Sequence, residues 1–231
     1  MKKILSVGLL LFSCLIFAAE DSLYNFSWLD KDKEIYVLQN RKFRKDGNFY
    51  IGGTLGRSVS GAYIDSYEFT LNAGYFFTED WGFELSFVKA DGETNKTHDA
   101  VNAQGSVAFF RKLDTVNTFT VYWSPFYSKI NTFNQIFYFD WMFGLGFANI
   151  NTLDNRKEFP TSGRSDELVE ESGTGLTWAS TWRFYITKNW STRIDFRAIH
   201  LNADIAIEDE DDTEKKWFNY YNINLGLNYS F

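Results

Sequence analysis

The sequence predicts an all-β fold, an eight-stranded antiparallel up-and-down transmembrane β-barrel. Three observations predict it. Apolar and polar residues alternate with a period of two in eight stretches, which sends them to opposite faces of a strand. The links between those stretches are short and long by turns. Aromatic residues make up 19% of the chain, and only two of its 231 residues are prolines. That combination suits long uninterrupted strands with rings on one face.

The first 19 residues are set apart. Lys2 and Lys3 precede an apolar run over 4–17, followed by Ala18, Ala19 and the acidic pair Glu20-Asp21. This is the order of a secretory signal peptide, with the cut expected after Ala18 or Ala19. Cys14, the only cysteine, falls inside it, so the mature chain is expected to have no disulfide, thiolate nucleophile or zinc–sulfur site. Loss of Lys2 and Lys3 takes the formal charge from −7 to −9, and an acidic chain argues against nucleic acid as a partner. No later run of 18 apolar residues predicts a membrane-spanning helix.

Residues 20–47 are expected to form a periplasmic extension. They hold the alternating piece Glu34-Ile35-Tyr36-Val37-Leu38 and the basic run Arg41-Lys42-Phe43-Arg44-Lys45. The barrel domain is expected over 48–231. Its first strand, 48–57, places Phe49, Ile51 and Leu55 outward and Tyr50, Gly52, Thr54 and Gly56 inward. The second, 66–76, points Tyr67, Phe69, Leu71, Ala73 and Tyr75 outward. In the third, 81–89, Trp81, Phe83, Leu85 and Phe87 oppose Gly82, Glu84 and Ser86. The fourth is read over 117–128. In the fifth, 136–148, a row from Phe137 to Phe147 faces outward. The sixth covers 172–185. The seventh, 190–201, sends Ile194, Phe196 and Ala198 one way and Arg193, Asp195 and Arg197 the other. The eighth, 218–231, sets Tyr221, Ile223, Leu225, Leu227, Tyr229 and Phe231 against Asn222, Asn224, Gly226, Asn228 and Ser230.

The links 77–80, 129–135 and 187–189 are short, whereas 58–65, 90–116, 149–171 and 202–217 are mostly long. All the short ones fall at one end, as periplasmic turns do in outer-membrane barrels. A soluble sandwich gives no reason for that sorting, and a secreted soluble barrel such as a lipocalin would bury its large apolar residues. Tyr75-Phe76-Phe77-Thr78-Glu79-Asp80-Trp81 repeats weakly as Phe184-Tyr185-Ile186-Thr187-Lys188-Asn189-Trp190. Trp81, Trp123 and Trp190 are the expected interfacial aromatics, since their rings suit a boundary that is apolar on one side and wet on the other.

Eight strands leave an interior that side chains fill. The inward register collects Glu68, Glu84, Asp140, Asp195, Arg183, Arg193 and Arg197, and confined charges must pair to be tolerated. A salt-bridged, non-conducting plug is the expectation. Gly144 and Gly146, and Gly173 and Gly175, would make room inside for large side chains. Of the two histidines, His200 falls on the outward face near the rim, where a lipid-modifying enzyme would need a serine and a carboxylate beside it. No serine adjoins it in sequence, and no catalytic residue is assigned. The run Glu208-Asp209-Glu210-Asp211-Asp212 lacks the spaced ligands and glycine of a calcium loop, so it reads as a solvated loop tip, and no metal or other cofactor is expected.

The ending Asn224-Leu225-Gly226-Leu227-Asn228-Tyr229-Ser230-Phe231 resembles the C-terminal assembly signal of outer-membrane proteins, carried here by Asn224, Gly226, Leu227, Tyr229 and Phe231. Lys33-Glu34-Ile35-Tyr36-Val37-Leu38-Gln39-Asn40-Arg41 and Tyr122-Trp123-Ser124-Pro125-Phe126-Tyr127 resemble a family of outer-membrane β-barrel proteins of predatory and gliding Gram-negative bacteria. In architecture the chain is similar to the small OmpA/OmpX type of barrel. The resemblance covers about 33–231 and implies a place in the outer membrane, with its lipids and lipopolysaccharide around the barrel and the barrel-assembly machinery as a partner. It implies no chemistry. A structural or surface-display role heads the functional readings, ahead of a narrow channel or a lipid A-modifying enzyme; the sequence leaves the oligomeric state open.

Overall fold

The computed structural model describes residues 41–132, 135–159, 167–205 and 214–231. These belong to one compact unit, Arg41–Phe231. The signal peptide, residues 20–40 of the extension and the acidic run 208–212 lie outside the described residues.

Eight antiparallel strands follow in chain order: β1 (Phe49–Ser58), β2 (Ile64–Phe76), β3 (Trp81–Thr94), β4 (Arg111–Thr132), β5 (Gln135–Asp154), β6 (Val169–Tyr185), β7 (Trp190–Asp204) and β8 (Lys215–Ser230). Each pairs with its neighbours in sequence, and β8 pairs with β1 to close the barrel. Followed strand to strand from Tyr50 through Gly74, Glu84, Thr120, Gly146, Thr177 and Ile199, the register arrives at Tyr220. Tyr50 itself pairs with Ser230. The ring therefore closes with a stagger of ten residues, which tilts the strands and leaves no free edge.

The faces sort by chemistry. Phe49, Leu55, Leu71, Leu145, Phe147 and Leu225 stand on the outside with half or more of their surface uncovered. Their neighbours Tyr50, Thr54, Glu84 and Asn224 are buried inside. Ala198 is a small departure. It shares the outward register of Ile194 and Phe196, yet it lies between Trp178 and Tyr221 on the adjoining strands and is fully buried.

Most strands run farther at the loop end than their apolar alternation implies. β3 continues past 89 to Thr94, β4 starts at Arg111 before 117, β5 reaches Asp154, and β6 starts at Val169. β7 and β8 likewise extend to Asp204 and from Lys215. The physical reason lies on the outer face. Beyond the apolar band its residues turn polar, as in Lys89, Asp91 and Glu93 of β3 or Asn149 and Asn151 of β5, while Val88, Ala90, Ile150, Ile199 and Leu201 keep filling the inside. Half of the period-2 signal is lost where the strand leaves hydrocarbon, although the hydrogen-bonded ladder goes on. The β3–β4 link correspondingly shrinks, and it carries one helix, α1 (Lys96–Ala103). Asn95 caps α1 by accepting from the Thr97 and His98 N–H groups at 3.0 and 3.1 Å. At the other end, β4 and β5 run on to Thr132 and from Gln135, so the expected link 129–135 narrows to the pair 133–134 between them.

The β4 ladder slips between Trp123 and Phe126. Pro125 has no N–H to donate, so a bulge is the arrangement open to the strand. Ser124 keeps the inward face of Tyr122, with its N–H on the Asp80 carbonyl at 2.7 Å, and past the bulge the alternation inverts, so that Phe126 faces outward. No described helix is long and apolar enough to cross a membrane.

Candidate functional site: the filled barrel interior

Inward alternation on β7 places Arg193, Asp195 and Arg197 in one column, facing Glu84 of β3. Arg193 Nη1 reaches Glu84 Oε2 at 2.5 Å, and its Nε reaches Asp195 Oδ2 at 2.8 Å. Arg197 approaches Glu84 Oε1 at 3.8 Å. Neutral donors complete both carboxylates: the Tyr50 hydroxyl at 2.7 Å and Ser86 at 3.1 Å to Glu84, and Thr181 at 2.6 Å to Asp195. The Tyr50 ring fits because residue 74 is glycine. A Cβ there would meet Tyr50 Cζ and its hydroxyl oxygen at 2.4 Å. Gly144 likewise clears the Tyr122 ring, where a Cβ would come within 2.9 Å of Cε1.

Of the seven charges read from the sequence, this level unites Glu84, Arg193, Asp195 and Arg197. The other three lie inside the barrel but outside that ion-paired group. Glu68 accepts a hydrogen bond from the Asn222 amide at 3.1 Å. Asp140 and Arg183 face each other across β5 and β6, but each bonds elsewhere. Arg183 donates to Ser191 at 2.8 Å and Ser230 at 2.6 Å, and lies over the rings of Tyr50 and Tyr185. Asp140 takes the Tyr185 hydroxyl and a cation that the strand register does not contain, Lys45.

Lys45 belongs to the basic run ahead of β1. Its ammonium is 3.0 Å from Asp140 Oδ2 and 2.6 Å from Ser124 Oγ, and lies over the Phe76 ring. A tight turn, with the Asn48 N–H on the Lys45 carbonyl and Gly47 at φ 73°, sends the chain on into β1. Glu79 in the β2–β3 turn holds the segment. It accepts from the Lys45 N–H at 3.1 Å and from Arg44 and Arg41 at 3.3 Å each. Arg41 also pairs with Asp80 at 2.9 Å, and Phe43 stacks on Tyr185 at 4.8 Å. Residues 41–47 thus close the turn end of the barrel. Partial burial alone would raise the Glu79 carboxyl pKa, but the N–H groups of Lys45 and Asp46 and the guanidinium groups of Arg44 and Arg41 outweigh it and hold the pKa below the usual carboxylate value.

A third charged level, missed by sequence reasoning, closes the loop end. Arg111 is buried between Asp154 at 3.0 Å and Glu171 at 2.8 Å, and also donates to Thr152 and to the Asp204 carbonyl. Arg156 grips Asp154 through Nε at 2.8 Å and Nη2 at 2.7 Å and also pairs with Glu171. These residues fall in stretches read as loops. The signal that could have found them is the inward alternation of Val88 with Ala90, and of Ile150 with Thr152 and Asp154. Apolar packing fills the gaps between charged levels: Tyr50, Phe76, Tyr122, Met142 and Ala179 below the Glu84 group, and Val88, Val116, Ile150, Ile199 and Leu201 above it.

The outer-face residues are placed as follows. Trp81 stacks on Trp123, its register partner, at 6.3 Å, and Trp190 meets Tyr229 edge-on at 5.1 Å. Trp141 and Trp182 add a stacked pair at 5.7 Å that the sequence reading did not single out. At the C-terminal end Asn224 is buried, Leu227 and Phe231 are exposed, and the Phe231 N–H donates to the Phe49 carbonyl at 3.0 Å. His200 Nε2 accepts from the Trp178 indole at 3.0 Å, so its proton sits on Nδ1, 2.6 Å from Asn219 Oδ1. Both ring nitrogens are taken by an indole and an amide.

A family model described as "Outer membrane protein beta-barrel domain" matches residues 39–231. No curated relative matches the chain. Among solved structures, the N-terminal β-barrel domain of Pseudomonas aeruginosa OprF is similar at 14% identity and a TM-score of 0.46, over 80% of this chain and 98% of that one. Neisserial surface protein A shares 11% identity at a TM-score of 0.46, with the same coverage of each chain. Outer membrane protein W of E. coli shares 14% identity at a TM-score of 0.44, over 81% of this chain and 99% of that one.

Two predictions follow from the levels of charge. Arg193→Met leaves Glu84 and Asp195 buried without their main cation and is expected to destabilise the folded barrel by about 3–5 kcal/mol. Adding Glu84→Leu recovers part of that loss, as read by urea titration in vesicles. The second concerns Glu79, whose folded pKa lies below its unfolded value. It contributes stability to the 41–47 closure above the unfolded carboxylate pKa, and that contribution disappears as pH falls through the folded pKa. The Lys45 amide resonance is expected to move toward its random-coil position over that acid range, and Glu79→Gln to abolish the titration.

Proposed function

From the premise that the chain belongs to the outer membrane protein beta-barrel domain family, we propose that it serves the outer membrane as a structural and surface-display barrel with an interior closed to ions. The observation that carries this reading is the filling of the lumen at three charged levels, Lys45–Asp140, Glu84–Arg193–Asp195 and Arg111–Asp154–Arg156, with apolar side chains between them. An ion entering that column would have to displace buried ion pairs, at a cost of several kcal/mol per desolvated charge. The role is non-enzymatic on this reading, which the engagement of both His200 nitrogens by Trp178 and Asn219 supports. Display is favoured by the way β5–β6 and β7–β8 continue past the apolar band as paired hairpins, and by the β3–β4 link, which carries α1. The exposed rings of the outer face suit the lipids and lipopolysaccharide of that membrane. The pattern from Asn224 to Phe231 suits delivery to the barrel-assembly machinery.

Planar-bilayer recording on the purified, refolded protein tests closure. The expected record is flat at 100 mV. Reproducible stepwise currents that scale with protein would overturn the reading in favour of a narrow channel.

A further inference from the structure

Between the Glu84 level and the Arg111 level lies a cavity of about 30 Å³, bordered by strands on opposite sides of the barrel. Four residues on its wall are each more than nine-tenths buried: Glu68, Asn222, Arg111 and Tyr220. Each keeps one polar atom without a hydrogen-bond partner among the described residues, namely Glu68 Oε1, Asn222 Oδ1, Arg111 Nε and the Tyr220 hydroxyl. Their other polar atoms are already committed. Asn222 donates through Nδ2 to Glu68 Oε2 at 3.1 Å, and both terminal nitrogens of Arg111 are bonded to Thr152, Glu171, Asp154 and the Asp204 carbonyl.

We propose that this cavity is a binding site for a pair of buried water molecules that join the middle and outer levels of the lumen. Chemistry selects the occupant. The wall offers two bare acceptors on the Glu68–Asn222 side, one N–H donor from Arg111, and a Tyr220 hydroxyl that can donate. A cation would face the Arg111 guanidinium, and an anion would face the Glu68 carboxylate and the Asn222 carbonyl oxygen. The ligand is therefore neutral and able both to donate and to accept. A water needs about 10–15 Å³ of such space and two to four polar partners, so a cavity of about 30 Å³ has room for two. Buried polar groups in folded proteins are satisfied by protein or by water, and each of these four finds its partner this way. The two waters extend the hydrogen-bonded column without a gap from Glu68 to the salt bridges of Arg111.

A high-resolution crystal structure of the full chain grown from lipid tests the site, with a second crystal soaked in rubidium chloride. Two density peaks within about 3.2 Å of the four named atoms, and no anomalous signal from rubidium, are expected. Tyr220→Phe removes one partner, and the peak nearest residue 220 is expected to lose its density while the Glu68 peak stays. A collapsed cavity without peaks overturns the proposal. So does a rubidium peak at the site, which would assign it to a monovalent cation. Should the variant fail to fold, the wild-type and rubidium maps still decide the matter.

Discussion

In hydrocarbon a backbone N–H or C=O can bond only to the protein itself, so a membrane-crossing sheet must have no edge. The pairing of β8 with β1 meets that demand. Phe49, Ile51 and Leu55 lie against the strand that ends at Ser230, and the Phe231 N–H still finds the Phe49 carbonyl. Once the ring is closed with its ten-residue stagger, alternation decides everything else. Outward positions meet lipid and are rich in Phe, Leu and Trp. Inward positions share a lumen too narrow to stay unfilled.

Filling that lumen with charge is costly unless every ion has a partner. An isolated buried ion costs several kcal/mol even after relaxation, more than a typical hydrogen bond returns. The interior answers with shared partners. Glu84 receives Arg193, Tyr50 and Ser86, and Asp154 receives both Arg111 and Arg156. Aliphatic and aromatic layers separate the charged levels, so each pair sits in a poorly screened environment where its attraction is strong. The closure at the turn end follows the same logic with a different source of cation. The cation opposite Asp140 on β6, Arg183, is bonded to Ser191 and Ser230, and the chain ahead of β1 folds back to bring Lys45 to the carboxylate.

How much of this was legible follows from what alternation can and cannot encode. The ring of eight strands, its inner and outer faces, and the interior position of Glu84, Arg193, Asp195 and Arg197 could be read from a period of two. Pairing could not. Asp140 and Arg183 are cross-strand neighbours, yet Arg183 turns to Ser191 and Ser230 while Lys45, from the chain ahead of β1, takes the carboxylate. The charged level at Arg111 was missed because outward residues become polar above the apolar band, which erases half of the strand signal at Lys89 and Asn149. The helix α1 was hidden for a related reason: its stretch, 96–103, is short and polar on most faces, and Asn95 marks its start only in retrospect.

All of this depends on the chain being a closed barrel in the outer membrane. The most direct measurement compares gel migration of the membrane-extracted protein with and without boiling, together with its distribution between envelope fractions. The chain is expected to be recovered with the outer membrane, and its unboiled, folded form to migrate differently from the boiled form. Recovery in the soluble periplasm, with one mobility before and after boiling, would contradict it.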